Sequence, residues 1–484
     1  MNCPESPYPS KQTRQTSTVA AAVLLATVTL QVSIAAQETS GSPQTPGSLS
    51  AVTSSAVAPV ANFTVAAVTP EEAAASAIHN YVQRDEPEFA WKIARTHQKN
   101  GATITELRVT SQRWQDILWE HAVEVYQPAK LEYPEHVLLF VTGGSQPPKD
   151  LSEKDAEMGL QMAAVSGMRV AVLHQVPNQP LLGNRVEDDL ITETWLRYLK
   201  TGDESWPLLF AMVKSAVKTM DAVQEFTAQD GKKPVSSFII TGASKRGWTS
   251  WLTPVADKRV VATAPIVIDV LNFRAQMKHQ IDTWGKYSEQ IIDYTSKGLI
   301  VEGEENDRER QLRLMMDPYS YRETLTLPKL LVNGTNDPYW VVDAMKLYWD
   351  DLKGPRYALF LPNDGHGLEN GRRKALTTIS IYARMNAAKM TLPELDWEFG
   401  RDGETRSVRV HSSQPPTSAH LWSAQSADLD FRDEKWSEVK MSESDGAIVG
   451  SVIGKEGKHV AMYAELIFEV GGVPYSLCTL VERN

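Results

Sequence analysis

The chain has 484 residues, 42% of them hydrophobic and 23% charged, a globular balance long enough for one large domain or for a large and a small one. Its formal net charge of −11 is not offset by any Lys/Arg-rich block, which argues against a phosphate-binding surface and against nucleic acid as a partner. With Cys3 and Cys478 as its 2 cysteines, the sequence can build neither a disulfide framework nor a cysteine-ligated zinc site.

Lys11 and Arg14 precede an apolar run, VAAAVLLATVTLQVSIAA, with small residues at Ser33 and Ala35 where a signal peptidase would read. Residues 1–36 are therefore expected to be a signal peptide or, if uncleaved, a membrane anchor that tethers the chain, although Thr27, Thr29 and Gln31 interrupt the run. Either outcome places the protein outside the cytoplasm, secreted or periplasmic. Residues 37–70, which include ETSGSPQTPGSLS, have the composition of a disordered spacer, and Asn62-Phe63-Thr64 fits a glycosylation sequon.

Residues 71–395 alternate between strand and helix patterns. The segment 105–127 suits antiparallel strands, and HVLLFVTGG (His136–Gly144), an amphipathic stretch Lys154–Ser166 and MRVAVLHQVP (Met168–Pro177) read as strand, helix, strand. Both of these strands are apolar on two faces, which belongs in the middle of a sheet covered by helices on both sides. Asp189–Leu199 and Trp206–Ala228 read as helices, Val235–Thr241 as a buried strand and Arg246–Thr253 as the start of a helix. Strands follow at Val260–Val267, Lys329–Asn333 and Arg356–Leu361, and a helix at Lys374–Lys389. The long gap at about 270–325, with its acidic VEGEEND run, is too long for a crossover and predicts an inserted helical cap. From 396 to 484 short alternating runs predict a small β-rich, sandwich-like domain.

Three polar features sit just past apolar strands, where open α/β sheets place their ligands. In FIITGASKRGW, Ser244 follows a strand and precedes a helix, with Gly242 at minus two but Arg246 at plus two and Gly247 at plus three. A serine on such a turn is exposed above the sheet as a nucleophile, or it simply caps the helix. In LPKLLVNGTNDPYW, Asp337 is placed to orient a histidine, or to start a turn before Pro338. In YALFLPNDGHGLEN, glycines flank His366, a general base for a serine hydroxyl if the loop carries it over the sheet edge. The order Ser244, Asp337, His366 is that of α/β-hydrolases, so the predicted fold is an α/β-hydrolase with a helical insertion and a C-terminal β-rich domain.

An oxyanion hole would take the backbone N–H of Lys245 and a second N–H from Gly144 or Ser145, in the turn TGGS. The side chains of Lys245 and Arg246 add charge near an intermediate or hold an anionic substrate, or else lie exposed on the helix face, and Trp284, Tyr339 and Trp340 line the pocket or pack in the core. Asn333-Gly334-Thr335 fits a sequon, but a sugar there would crowd the site. The turn TGGSQPP lacks G-x-G-x-x-G, which argues against a dinucleotide enzyme.

The segment TGASKRGWTSWLTPVADKRVVATAPIVIDVLN, with LLFVTGG, LHQVPNQPL, LPKLLVNGTNDPYW and NDGHGL, resembles the PhoPQ-activated pathogenicity-related proteins. That family includes a secreted autocrine proliferation repressor. The resemblance runs from about Phe63 onward and implies the α/β-hydrolase fold, with the family's Ser, Asp and His matching Ser244, Asp337 and His366. The late glycine also resembles the G-x-S-x-x-G elbow of glucuronoyl esterases, with Lys245 at the place of their basic residue, which brings a carbohydrate ester into view. Together these imply a secreted or periplasmic serine hydrolase acting on a small ester or peptide without metal or organic cofactor. The alternative is a secreted signalling or binding protein on a hydrolase scaffold.

Overall fold

Strands that are apolar on both faces are stable only between two layers of helix, and the sequence supplies six of them in a row. The computed structural model describes residues 69–147, 153–229, 234–300 and 302–483; the expected leader and the Asn62 sequon lie outside them. In chain order the elements are α1 (Pro70–Gln83), β1 (Ala90–Lys99), β2 (Ala102–Trp114), β3 (Ile117–Gln127), β4 (His136–Val141), α2 (Glu153–Ser166) and β5 (Arg169–Leu173). Then come α3 (Glu187–Thr201), α4 (Leu208–Ala228), β6 (Ser237–Ala243), α5 (Lys245–Ala256) and β7 (Val260–Ile266). The insertion carries α6 (Phe273–Trp284), α7 (Ile292–Thr295) and α8 (Asp307–Met316), followed by β8 (Lys329–Gly334), β9 (Arg356–Leu361) and α9 (Arg372–Ala387).

The sheet runs β1-β2-β3-β5-β4-β6-β7-β8-β9, antiparallel as far as β5 and parallel from β5 to β9. From β2 onward this is the strand order of an α/β-hydrolase, with one antiparallel strand added at the edge. β1 was not anticipated because its residues, AWKIARTHQK, are mostly exposed and polar and show no apolar alternation. Helices α2 and α9 pack together on one face, and α4 and α5 cover the other with α1 behind them. Central strands are fully buried, as at Leu138, Leu139, Ile239 and Ile240. α1 starts where the spacer was expected to end, because Thr69 and Glu72 form a capping box.

Because β4, β6, β7, β8 and β9 are parallel, their C-terminal ends share one edge, as the pairs Val141↔Gly242, Ile266↔Val332 and Gly334↔Leu361 record. That edge positions the site.

The C-terminal part consists of β10 (Leu395–Asp402), β11 (Thr405–Ser412), β12 (Ser418–Ser426), β13 (Ser437–Lys440), β14 (Ser442–Ser444), β15 (Ala447–Ile453), β16 (His459–Val470), β17 (Val473–Cys478) and β18 (Glu482–Arg483). It is less separate than its composition implies. β17 pairs with β9 through Cys478↔Ala358, so β17-β16-β12-β13 prolongs the main sheet and covers what would be an open edge strand. A second sheet, β10-β11-β15-β14, lies across it, with Val408, Val410 and Leu421 buried.

Candidate active site

Between β6 and α5 a single residue reverses the chain. Ser244 has φ 57° and ψ −124°, a conformation that costs a residue with a Cβ free energy. It persists because Ser244 donates its N–H to the Ile266 carbonyl at 2.8 Å and accepts from the Trp248 N–H at 2.9 Å. Its side chain makes no capping bond to the helix, so the hydroxyl stays available.

The spacing of the glycines follows from contact. A Cβ on Gly242 would lie 2.6 Å from the Arg246 carbonyl oxygen, and one on Gly247 would lie 2.7 Å from Ile268 Cγ2 and 2.8 Å from the Gly242 oxygen. The first turn of α5 therefore meets its neighbours at plus three. At plus two, Arg246 turns sideways beneath Gly143 of the TGGS turn, where a side chain is accommodated.

The loops after β8 and β9 bring the other two groups. Asp337 Oδ2 lies 2.8 Å from His366 Nδ1, and His366 Nε2 lies 2.9 Å from Ser244 Oγ. Asp337 Oδ1 accepts the Tyr339 N–H at 2.9 Å, which fixes the buried carboxylate. A carboxylate at Nδ1 favours the tautomer protonated there, leaving Nε2 free to accept the serine proton. The Tyr339 ring lies against the imidazole, with centroids 4.2 Å apart. Burial, with the charges of Asp188 and Asp337 nearby, pushes the Tyr339 phenol up to about 12, so it stays neutral beside the histidine.

Both loops are braced by the C-terminal part. Asn336, next to Asp337, donates to the carbonyls of Arg432 at 2.9 Å and Glu434 at 2.8 Å. Asn363 donates to the Trp436 carbonyl at 3.0 Å and accepts the Trp436 N–H at 2.8 Å. Nothing in the local pattern points to this, since Asn beside Asp reads as ordinary turn chemistry.

A second set of residues that the sequence reading missed is Glu187-Asp188-Asp189, which opens α3 and looks like a plain acidic helix start. Glu187 grips the Arg246 guanidinium through both nitrogens, at 2.8 and 2.9 Å, while Arg246 Nε donates to the Val176 carbonyl at 2.5 Å. Arg246 was expected as a substrate contact; instead it is buried and fully engaged in holding the elbow to α3. Burial alone would raise the Glu187 pKa, but Arg246 and Lys245 hold it at about 2. Asp188 accepts from Lys245 Nζ and from Tyr294 Oη, each at 3.1 Å, and Asp189 accepts from Lys297 Nζ at 2.6 Å. The acidic triplet thus clamps the elbow on one side and the inserted cap on the other.

Lys245 opens α5, so its N–H has no acceptor within the helix. Gly144, with φ 124°, and Ser145 lie on the loop after β4, alongside the elbow strand. Neither lines the cavity described next.

That cavity, of about 630 Å³, lies between the sheet edge and the insertion, with Ser244, Lys245, His366, Tyr339 and Trp340 in its wall. Trp284 is not part of it; its ring sits 4.0 Å beneath the Arg432 guanidinium. Below the site, burial and then the Asp337 and Asp343 charges raise the carboxyl of Asp269 to about 7, against the lowering effect of the Tyr348 hydroxyl bonded to it. Among the described residues, no three His, Cys, Asp or Glu side chains cluster as metal ligands, and no helix is long and apolar enough to cross a membrane.

Comparison with known proteins agrees with the sequence resemblance at the level of family. The model of the PhoPQ-activated pathogenicity-related proteins matches residues 78–432. Autocrine proliferation repressor protein A of Dictyostelium discoideum is 28% identical over 375 residues, covering 74% of this chain and 75% of that protein. Among solved structures, acetyl xylan esterase 1 from Thermoanaerobacterium sp. JW/SL YS485 superimposes with a TM-score of 0.46 at 15% identity, over 65% of this chain and 93% of the esterase. A glucuronoyl esterase from Solibacter usitatus gives 0.41 at 12% identity, over 64% and 92%.

Proposed function

This chain belongs to the family of PhoPQ-activated pathogenicity-related proteins, and from that premise we propose that it is a secreted serine hydrolase acting by acyl transfer. The observation that carries the reading is the unbroken line Asp337–His366–Ser244, with both hydrogen bonds under 3 Å, on the edge of a hydrolase sheet. Ser244 Oγ attacks the carbonyl carbon of an ester while its proton passes to His366 Nε2, and Asp337 stabilises the imidazolium. The oxyanion takes the Lys245 N–H and a second N–H from Gly144 or Ser145, above the positive end of α5. Collapse expels the alcohol with the proton from His366, and a water activated by the same imidazole releases the acid. A peptide amide passes through the same steps with an amine leaving. The test is labelling with a fluorophosphonate: wild type is labelled and Ser244→Ala is not. Labelling that persists in the variant, or fails in the wild type, removes Ser244 from the role.

A second reading is favoured by the name of the Dictyostelium relative. The chain would be a secreted growth-repressing signal on a hydrolase scaffold. Purified Ser244→Ala protein that represses growth as well as wild type would favour signalling without catalysis.

A further inference from the structure

The cavity beneath the cap says what kind of ester fits. It is continuous with Ser244 and His366, and α3, α5 and the insertion supply its far wall through Trp195, Trp248, Phe273, Met277, Ile281 and Leu312. Charged groups also reach the wall, but each is already matched within the protein. Lys245 is held by Asp188 at 3.1 Å, Arg313 by Glu305 at 2.7 Å, and Lys278 by Asp282 at 2.5 Å. Arg274 reaches Glu305 at 3.5 Å and the Gly303 carbonyl at 3.0 Å. Glu302 accepts from Tyr287 Oη at 2.9 Å, and Glu309 closes the capping box of α8. A charged substrate group would have to break one of these pairs, whereas an apolar group would only displace water.

Size points the same way. At about 30 Å³ for each water-sized group, an acetyl would leave most of the 630 Å³ unfilled. Between the two arms of an ester, the acyl arm stays bonded to Ser244 until water releases it, so a walled cavity beginning at Ser244 suits it. The alcohol must leave at the first step, past His366, whose side chain is a quarter exposed.

We infer that this cavity is an acyl site and that the substrate is an ester of an uncharged, apolar acid of at least about six carbons, since at about 30 Å³ for each group even ten carbons take only about 300 Å³ of the cavity. The reaction is plain hydrolysis: the acyl–oxygen bond breaks, water supplies hydroxyl to the acyl carbon and a proton to the alcohol. The inference rests on the hydrolase reading of Ser244.

The experiment uses the full chain and two ester series. With 4-nitrophenol as constant alcohol, kcat/KM should rise about threefold for each methylene from acetate toward octanoate, the gain expected from burying methylenes. With acetate as constant acid, lengthening the alcohol should change kcat/KM less than threefold over the same span, and a hemisuccinate should be hydrolysed more slowly than the butyrate. Met277→Trp, and independently Ile281→Trp at a partly exposed position, should each lower the octanoate-to-acetate ratio about tenfold or more. Fluorophosphonate labelling of these variants reports that they are folded. If the wild type is not labelled, the hydrolase reading itself fails. A labelled enzyme that prefers acetate, prefers the hemisuccinate, or responds to the alcohol series instead overturns the acyl site alone. Unchanged ratios in both labelled tryptophan variants do the same.

Discussion

Ser244 carries a conformational cost that can be measured against the function it serves. At φ 57° and ψ −124° it occupies a region where a residue with a Cβ is destabilised, by about 1–3 kcal/mol in typical cases. Ser244→Ala and Ser244→Gly both delete the hydroxyl and its bond to His366, so that loss cancels when the two are compared. Glycine relieves the crowding but adds about 0.4–1 kcal/mol of unfolded-state entropy, leaving the Gly variant more stable than the Ala variant by about 0.5–2 kcal/mol. For a chain of this length, with about 2.1 cal/mol/K of unfolding entropy per residue, that is about 0.5–2 °C in Tm. Thermal melts followed by near-UV circular dichroism, on both variants in one buffer, resolve such a difference. Both should be inert to a fluorophosphonate. If the Gly variant melts at or below the Ala variant, the elbow is unstrained and the argument is refuted.

Three further outcomes follow from the contacts around the site. Asn336→Ala removes two hydrogen bonds to the backbone at Arg432 and Glu434, costing about 1–3 kcal/mol of stability, and should lower kcat with little change in KM; an unaltered kcat would remove the C-terminal brace from catalysis. Asp188→Asn takes one carboxylate from the buried Lys245 and weakens the tie to Tyr294 in the cap, so unfolding in guanidinium should shift down by about 1–3 kcal/mol, and equal midpoints would show that the clamp contributes nothing. Asp269 has a folded pKa of about 7, above its free value of 3.8, so wild type binds the extra proton when folded and loses stability progressively as pH rises from about 4 to about 7. Asp269→Asn should therefore lie nearest wild type at about pH 4 and melt progressively higher than wild type up to about pH 7, with the gap level above that; a pH-independent difference would count against this.

The catalytic candidates were legible in sequence because each follows a strand whose apolar run could not be mistaken. Ser244 after SFIIT, Asp337 after KLLVN and His366 after YALFL needed only the rule that parallel strands deliver their C-terminal loops to one edge. The cap was legible from length alone. What sequence left ambiguous was decided by contacts between residues distant along the chain. Arg246, two residues past Ser244, looked like a substrate contact, but its direction depends on Glu187, which lies 59 residues earlier and forms both bonds. Trp284 reads equally as pocket lining or as packing, and the Arg432 guanidinium over its ring decides between them. The C-terminal strands read as a separate domain, and whether β17 would pair with β9 depended on an edge that exists only once the main sheet is assembled.

By itself, then, the sequence determined the hydrolase sheet, the order of Ser244, Asp337 and His366, and the presence of an insertion, because periodicity and turn residues are local properties. Only the tertiary structure decided that the two basic residues after the serine are neutralised, that two asparagines tie the Asp337 and His366 loops to the C-terminal sheets, and that the charged groups in the cavity wall are hydrogen-bonded within the protein. Those outcomes depend on which side chains meet across the fold, and pairing at a distance leaves no mark on the local pattern of a chain.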